Sequence, residues 1–111
     1  MTYEAILNQL GYIPNEALSI QLGHIEKNTI GYEKIIKHIL DLHESLKTDE
    51  SYIALSNSHH YFKIKLDATS DTSRQEALVK INRFVEKYNI SLEAIPGKNT
   101  YYIKGFLKES K

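Results

Sequence analysis

The stretch HYFKIKLD (His60–Asp67) decides the fold, because apolar and polar side chains alternate along its whole length. Successive side chains of a β-strand point to opposite sides of the sheet, so strict alternation is typical of a strand with one buried face. The pattern therefore predicts a strand with an apolar face toward the core. On the opposite face of this strand we expect Tyr61, Lys63 and Lys65.

The residues on either side extend this strand into a hairpin, and a second hairpin follows near the C-terminal end. Before the strand, Ile53 and Leu55 repeat the period of two, and Ser56-Asn57-Ser58 supplies turn residues. Ile90–Ile95 and Thr100–Leu107 flank a connection that contains Pro96-Gly97, a pair that favours a type II turn. Four strands in two hairpins are predicted.

Helical periodicity surrounds these hairpins. Apolar residues three and four apart predict a first helix over residues 3–10, a long helix from about Thr29 to Lys47, and a helix between the hairpins. Asn15 can cap another helix, but alternation over residues 18–22 also permits a strand there. Between the hairpins, Ser73 followed by Glu76 predicts a capping box.

The element order therefore predicts an α+β protein in which N-terminal helices precede a β-β-α-β-β unit. This unit would form a mostly antiparallel four-stranded sheet. The chain of 111 residues is interpreted as one domain, with a helical part over about residues 1–48 and a sheet-containing part over about residues 51–108.

Composition excludes several classes of function. Lysines and arginines number 14, as do aspartates and glutamates, which argues against a generally basic nucleic-acid-binding protein. The chain has no cysteine, so thiol catalysis and cysteine-based zinc sites are excluded. Neither a signal peptide nor a membrane-spanning run is visible in the sequence. We expect a cytoplasmic protein that has no membrane partner.

No catalytic or cofactor-binding motif is present in the sequence. The five glycines are dispersed, and His38 and His43 are spaced five apart, which places them on different faces of a helix. We therefore expect no metal ion and no cofactor. A small enzyme that uses His59 or His60 with a nearby tyrosine is an alternative, and it predicts an enclosed cleft beside the first hairpin.

Surplus apolar surface favours a non-catalytic protein-interaction module, such as an adaptor or regulator that binds a partner protein or forms a homodimer. The long helix has a broad apolar sector, and one aromatic residue of the last strand faces away from Ile103. Either packing within the chain or a second copy can cover this surface. The residues predicted for self-association are Ile35, Ile36, Ile39, Leu40 and Phe106.

Single-stranded nucleic acid, in particular RNA, is the alternative partner. Aromatic rings on an open sheet give bases a surface to stack on, and lysines neutralise phosphates. The two hairpins can combine such residues on one face of the sheet. The residues predicted for this interface are Tyr61, Lys63, Lys65, Tyr102 and Lys104.

Overall fold

The computed structural model describes residues 1–107, and the expected α+β order is confirmed. The end of the predicted sheet-containing part, beyond residue 107, lies outside the described residues. Within the described range the elements are α1 (Tyr3–Gln9), α2 (Glu16–Asn28), α3 (Tyr32–Leu46), a 3₁₀ turn (Lys47–Asp49), β1 (Ser51–Leu55), β2 (Phe62–Leu66), α4 (Asp71–Tyr88), β3 (Ile90–Ala94) and β4 (Thr100–Phe106).

The four strands form one sheet in the order β1-β2-β4-β3, and every pair of neighbours is antiparallel. Both predicted hairpins form, and β2 and β4 pair with each other at the centre of the sheet. Gly97 has a φ of +76°, and the backbone N–H of Lys98 donates to the carbonyl oxygen of Ile95 at 3.1 Å. A positive φ at the third position and this hydrogen bond agree with the predicted type II turn.

Side-chain caps mark the beginning of α1, α2 and α4. Residues 16–28 are helical, and the Asn15 side chain accepts a hydrogen bond from the backbone N–H of Leu18 at 2.8 Å. The predicted capping box at Ser73 is wrong, because α4 begins one turn earlier. Its N-cap is Ser70, whose hydroxyl oxygen accepts from the backbone N–H of Ser73 at 3.1 Å. The N-cap satisfies a backbone donor that the helix itself leaves unpaired.

The hydrophobic core lies on one face of the sheet. Buried side chains of the strands, such as Phe62, Ile64 and Ile103, belong to the same cluster as buried side chains of all four helices. α3 packs on β1 and β4, and α4 packs on β3. Within residues 1–107, the opposite face of the sheet is therefore left without a covering helix.

Two side chains connect the helical part to β1. The Nδ1 atom of the buried His43 accepts a hydrogen bond from the backbone N–H of Ile53 at 3.0 Å. The hydroxyl oxygen of Tyr12 accepts one from the backbone N–H of Leu55, also at 3.0 Å. These bonds attach α3 and the connection between α1 and α2 to the first strand.

The connection between α2 and α3 lies directly against β4. Ile30 forms an isolated parallel bridge with Gly105, and its carbonyl oxygen accepts a hydrogen bond from the backbone N–H of Phe106 at 2.7 Å. Gly105 has a φ of +136°, a conformation that L-residues with a side chain rarely adopt. The absence of a side chain at this glycine allows the two backbones to approach.

None of the helices over residues 1–107 combines the length and the apolar character that crossing a membrane requires.

Candidate nucleic-acid interface

The cross-strand register brings the five residues predicted for nucleic-acid binding onto one surface. In the central pair of strands Lys63 lies opposite Tyr102, and Lys65 lies opposite Thr100. Directly opposed residues of antiparallel strands share a face, and so do residues two apart in one strand. We call the uncovered side of the sheet, with Tyr61, Lys63, Lys65, Tyr102 and Lys104, the open face. All five side chains are half-buried.

Tyrosine and lysine side chains are in contact on the open face. The ring centroids of Tyr61 and Tyr102 are 5.8 Å apart, and the Nζ atom of Lys104 lies 4.3 Å from the centroid of Tyr61. Lys104 also forms an ion pair with Glu93 of β3 at 3.2 Å. Hydrogen bonds to Tyr61 and Glu93 raise the pKa of Lys104 above its ordinary value. Lys104 is therefore a cation held in place beside an aromatic ring.

The connection between β1 and β2 folds over the open face and contacts Tyr102. The hydroxyl oxygen of Tyr102 lies 2.9 Å from Nδ1 of His59 and 3.1 Å from the hydroxyl oxygen of Ser58. The hydrogen bond with Ser58, helped by the positive charges of Lys63 and Lys98, lowers the pKa of the Tyr102 hydroxyl. Ser58 and the two lysines thus act on the same hydroxyl group.

Between this connection and the turn before β4 lies a pocket with a volume of about 170 Å³, which we call the lysine pocket. Residues of the two central strands form its floor, and the two hairpin connections form its walls. It is lined by Ser56, Asn57, Ser58, Lys63, Lys65, Ile95, Lys98, Thr100 and Tyr102. These residues include three lysines and four hydroxyl groups but no carboxylate, so the pocket is suited to an anion.

Sequence reasoning found the strand residues of this site and missed those of the connections. A period of two predicts which face a strand residue occupies, but it does not predict how a connection folds over the sheet. From the sequence, Lys98 belongs only to the connection that contains Pro96-Gly97, and His59 only to the enzyme alternative. The serines that precede the two adjacent histidines were the available signal, because short polar side chains in a connection often bond to nearby groups.

The residues predicted for self-association are mostly inside the chain. Ile35, Ile39 and Leu40 are buried in the core, where they pack against other elements of the same molecule. Only Ile36 and Phe106 keep partly exposed side chains. Most of the apolar sector of α3 is therefore covered by other elements of the same chain.

The two adjacent histidines are separated in the structure. His59 and His60 are both exposed; His59 contacts Tyr102, whereas the ring centroid of His60 lies 4.9 Å from that of His24. The lysine pocket lies beside the first hairpin, where the enzyme alternative predicts a cleft, but neither histidine lines it. Over the described part of the chain, no three His, Asp or Glu side chains are grouped closely enough to hold a metal ion.

Comparisons of the chain with models of known families, with curated proteins and with solved structures found no match. The function has to be inferred from the geometry of the open face.

Proposed function

We propose that the open face binds single-stranded nucleic acid. The observation that supports this proposal is the register between β2 and β4, which sets Lys63 opposite Tyr102 on the side of the sheet away from the helices. Aromatic and basic side chains thereby alternate over a surface that a strand of nucleotides can cross.

Tyrosine and lysine side chains make different contributions to the proposed binding. Tyr61 offers a ring on which a base can stack, a contact that is worth roughly 1–3 kcal/mol per base. Lys63 and Lys65 neutralise phosphates and release the counterions condensed on them. Since stacking and charge neutralisation tolerate any base, we expect little dependence of affinity on nucleotide sequence.

Salt dependence provides the first test of the proposal. We would measure the fluorescence anisotropy of a labelled single-stranded RNA, a DNA strand of the same sequence and the matching RNA duplex. If three or four lysines each meet a phosphate, the affinity for the single strands should fall roughly 20- to 50-fold between about 50 and 200 mM salt. Binding that is absent, insensitive to salt or equal for the duplex would reject the proposal.

A pair of Tyr61 variants provides the second test. Tyr61→Ala removes the ring and should weaken binding about tenfold, which corresponds to about 1.4 kcal/mol. Tyr61→Phe keeps the aromatic face and should bind within about twofold of the natural chain. Equal affinities for the two variants would show that the ring does not carry binding.

Self-association stays a separate prediction. Of the five residues expected at such an interface, Ile36 and Phe106 are those that a second copy can reach without unfolding the chain. Sedimentation over a wide range of concentrations tests it, and a chain that remains monomeric throughout would reject it.

A further inference from the structure

We propose that the lysine pocket is a phosphate-binding subsite of the open face. The inference rests on the proposed function, because it names the chemical group of the nucleic acid that this part of the surface takes.

The charges of the pocket are not compensated within the described residues. Lys63, Lys65 and Lys98 line it, and over residues 1–107 none of the three has a carboxylate oxygen within 4.0 Å. Lys104, on the same face, is already paired with Glu93. An anion in the pocket would therefore meet three lysines that no carboxylate among residues 1–107 neutralises, and ionised partners make the stronger hydrogen bonds.

Hydroxyl groups supply further donors around the same space. Ser58, Thr100 and Tyr102 line the pocket, and Thr100 lies on its floor opposite Lys65. Their positions are fixed by the sheet and by the contact between Ser58 and Tyr102. A phosphate group has several acceptor oxygens, which this mixture of ammonium and hydroxyl donors can satisfy together.

The dimensions of the pocket agree with a phosphate group as the occupant. Its volume of about 170 Å³ is well above the roughly 10–15 Å³ that a single water molecule needs, so the pocket has room for a group of several atoms such as phosphate. The phosphate can be an internal phosphodiester of a strand or a phosphomonoester at its end. Both share the same oxygen acceptors, and the experiment separates them.

The test uses the full chain and inorganic phosphate as the probe. Backbone amide chemical shifts are followed by NMR during a titration with sodium phosphate and a parallel titration with sodium chloride at equal ionic strength. We expect chemical-shift changes at Ser58, Lys98 and Thr100 that phosphate causes and chloride does not.

Two variants test the role of Lys98. Lys98→Gln should weaken phosphate binding at least threefold, and Lys37→Gln, which changes an exposed lysine of α3, should leave it unchanged. Equal responses to the two salts, or equal affinities of the two variants, would overturn the proposal.

Oligonucleotides then identify the source of the phosphate and separate the two proposals. A single strand with a 5′-phosphate and the same strand with a 5′-hydroxyl are compared on the natural chain and on Lys98→Gln. A preference for the phosphorylated strand that Lys98→Gln removes supports a terminal phosphate in the pocket. An equal loss for both strands supports an internal phosphodiester.

If the strands bind and Lys98→Gln changes neither affinity, the subsite is wrong and the proposed function stands. If inorganic phosphate binds and the strands do not, the subsite stands and the proposed function is wrong.

Discussion

The Nδ1 atom of His59 lies 2.9 Å from the hydroxyl oxygen of Tyr102, although 43 positions separate the two residues in the chain. Ser58 contacts the same hydroxyl, so one phenol group holds the connection between β1 and β2 against the sheet. This connection is also a wall of the lysine pocket. The shape of the proposed phosphate site therefore depends on a contact between side chains at the surface.

Tyr102→Phe should loosen this connection and leave the fold intact. The variant keeps the ring but loses the hydroxyl, so amide hydrogen exchange should accelerate at residues 57–60 and remain unchanged in β2 and β4. Tyr52→Phe is the matched control, because it removes the hydroxyl of an exposed tyrosine on β1. Unchanged exchange in Tyr102→Phe would contradict the role assigned to the hydroxyl.

Gly105→Ala should be severely destabilising, because an added Cβ would lie 2.5 Å from the backbone nitrogen of Ile30 and 2.6 Å from its oxygen. Backbone atoms cannot move aside as a flexible side chain can. We expect a loss of more than about 3 kcal/mol in the free energy of unfolding, measured by urea denaturation.

Gly97→Ala is the control for this substitution. Gly97 also has a positive φ, of +76°, but among residues 1–107 an added Cβ there meets no heavy atom within 4 Å beyond the two neighbouring residues in the chain. Its cost should be only the conformational one, about 1–2 kcal/mol. Similar losses in the two variants would show that the approach of Ile30 does not matter.

Lys80→Met should destabilise the chain by about 2–3 kcal/mol, because it leaves the buried carboxylate of Asp49 without its partner. The Nζ atom of Lys80 lies 2.6 Å from Oδ2 of Asp49 and also donates to the carbonyl oxygen of Ser45 at 2.8 Å. Arg83→Met, an exposed substitution on the same helix, should change stability by less than about 0.5 kcal/mol. Thermal and urea unfolding of both variants measure the difference.

A double-mutant cycle isolates the ion pair itself. Asp49→Asn should cost less in the Lys80→Met background than in the natural chain, since the unpaired charge is then removed as well. Additive losses would contradict a direct coupling between the two residues.

Acidification should destabilise the fold through His43. Burial, together with the positive charge of Lys47, lowers the pKa of this histidine below its ordinary value of 6.5. The unfolded chain therefore binds a proton at a higher pH than the folded chain does. Stability from this group is complete above about pH 6.5 and is lost as the pH falls toward the lowered pKa of the folded state. Protonation of Nδ1 would also remove the acceptor for the backbone N–H of Ile53.

His43→Asn is the variant that tests this pH dependence. The Oδ1 atom of asparagine is the same number of bonds from the backbone as Nδ1 and accepts a hydrogen bond, but it does not titrate. Between pH 7.5 and 5 the free energy of unfolding should fall more steeply for the natural chain than for His43→Asn. Parallel curves would assign the pH dependence to other groups.

The sheet and the strand residues of the open face could be predicted from sequence, because both follow from a period of two. Alternation over residues 60–67 places the polar side chains opposite the core, and the second hairpin repeats the pattern. Pairing of β2 with β4 then brings Lys63 and Tyr102 together. Local periodicity is thus sufficient to predict which residues form strands and which face of the sheet each side chain occupies.

Features that depend on tertiary contacts could not be predicted in this way. Residues 69–73 contain several side chains that can cap a helix, and local sequence does not choose Ser70 over Ser73. Nor does periodicity reveal that Lys80 reaches Asp49, which is 31 positions away. The apolar sector of α3 shows the same limit, since a pattern indicates that a surface must be covered but not whether the cover belongs to the same chain.

The hydrogen bonds that His43 and Tyr12 accept from β1 have a consequence for the behaviour of the protein in concentrated solution. β1 is an edge strand, and the backbone N–H groups of Ile53 and Leu55 already have partners in these two side chains. An edge with unpaired N–H groups is a template on which a strand of another molecule can add, which is how sheets aggregate. Because His43 and Tyr12 occupy these N–H groups, a strand of another molecule cannot use them to pair with β1.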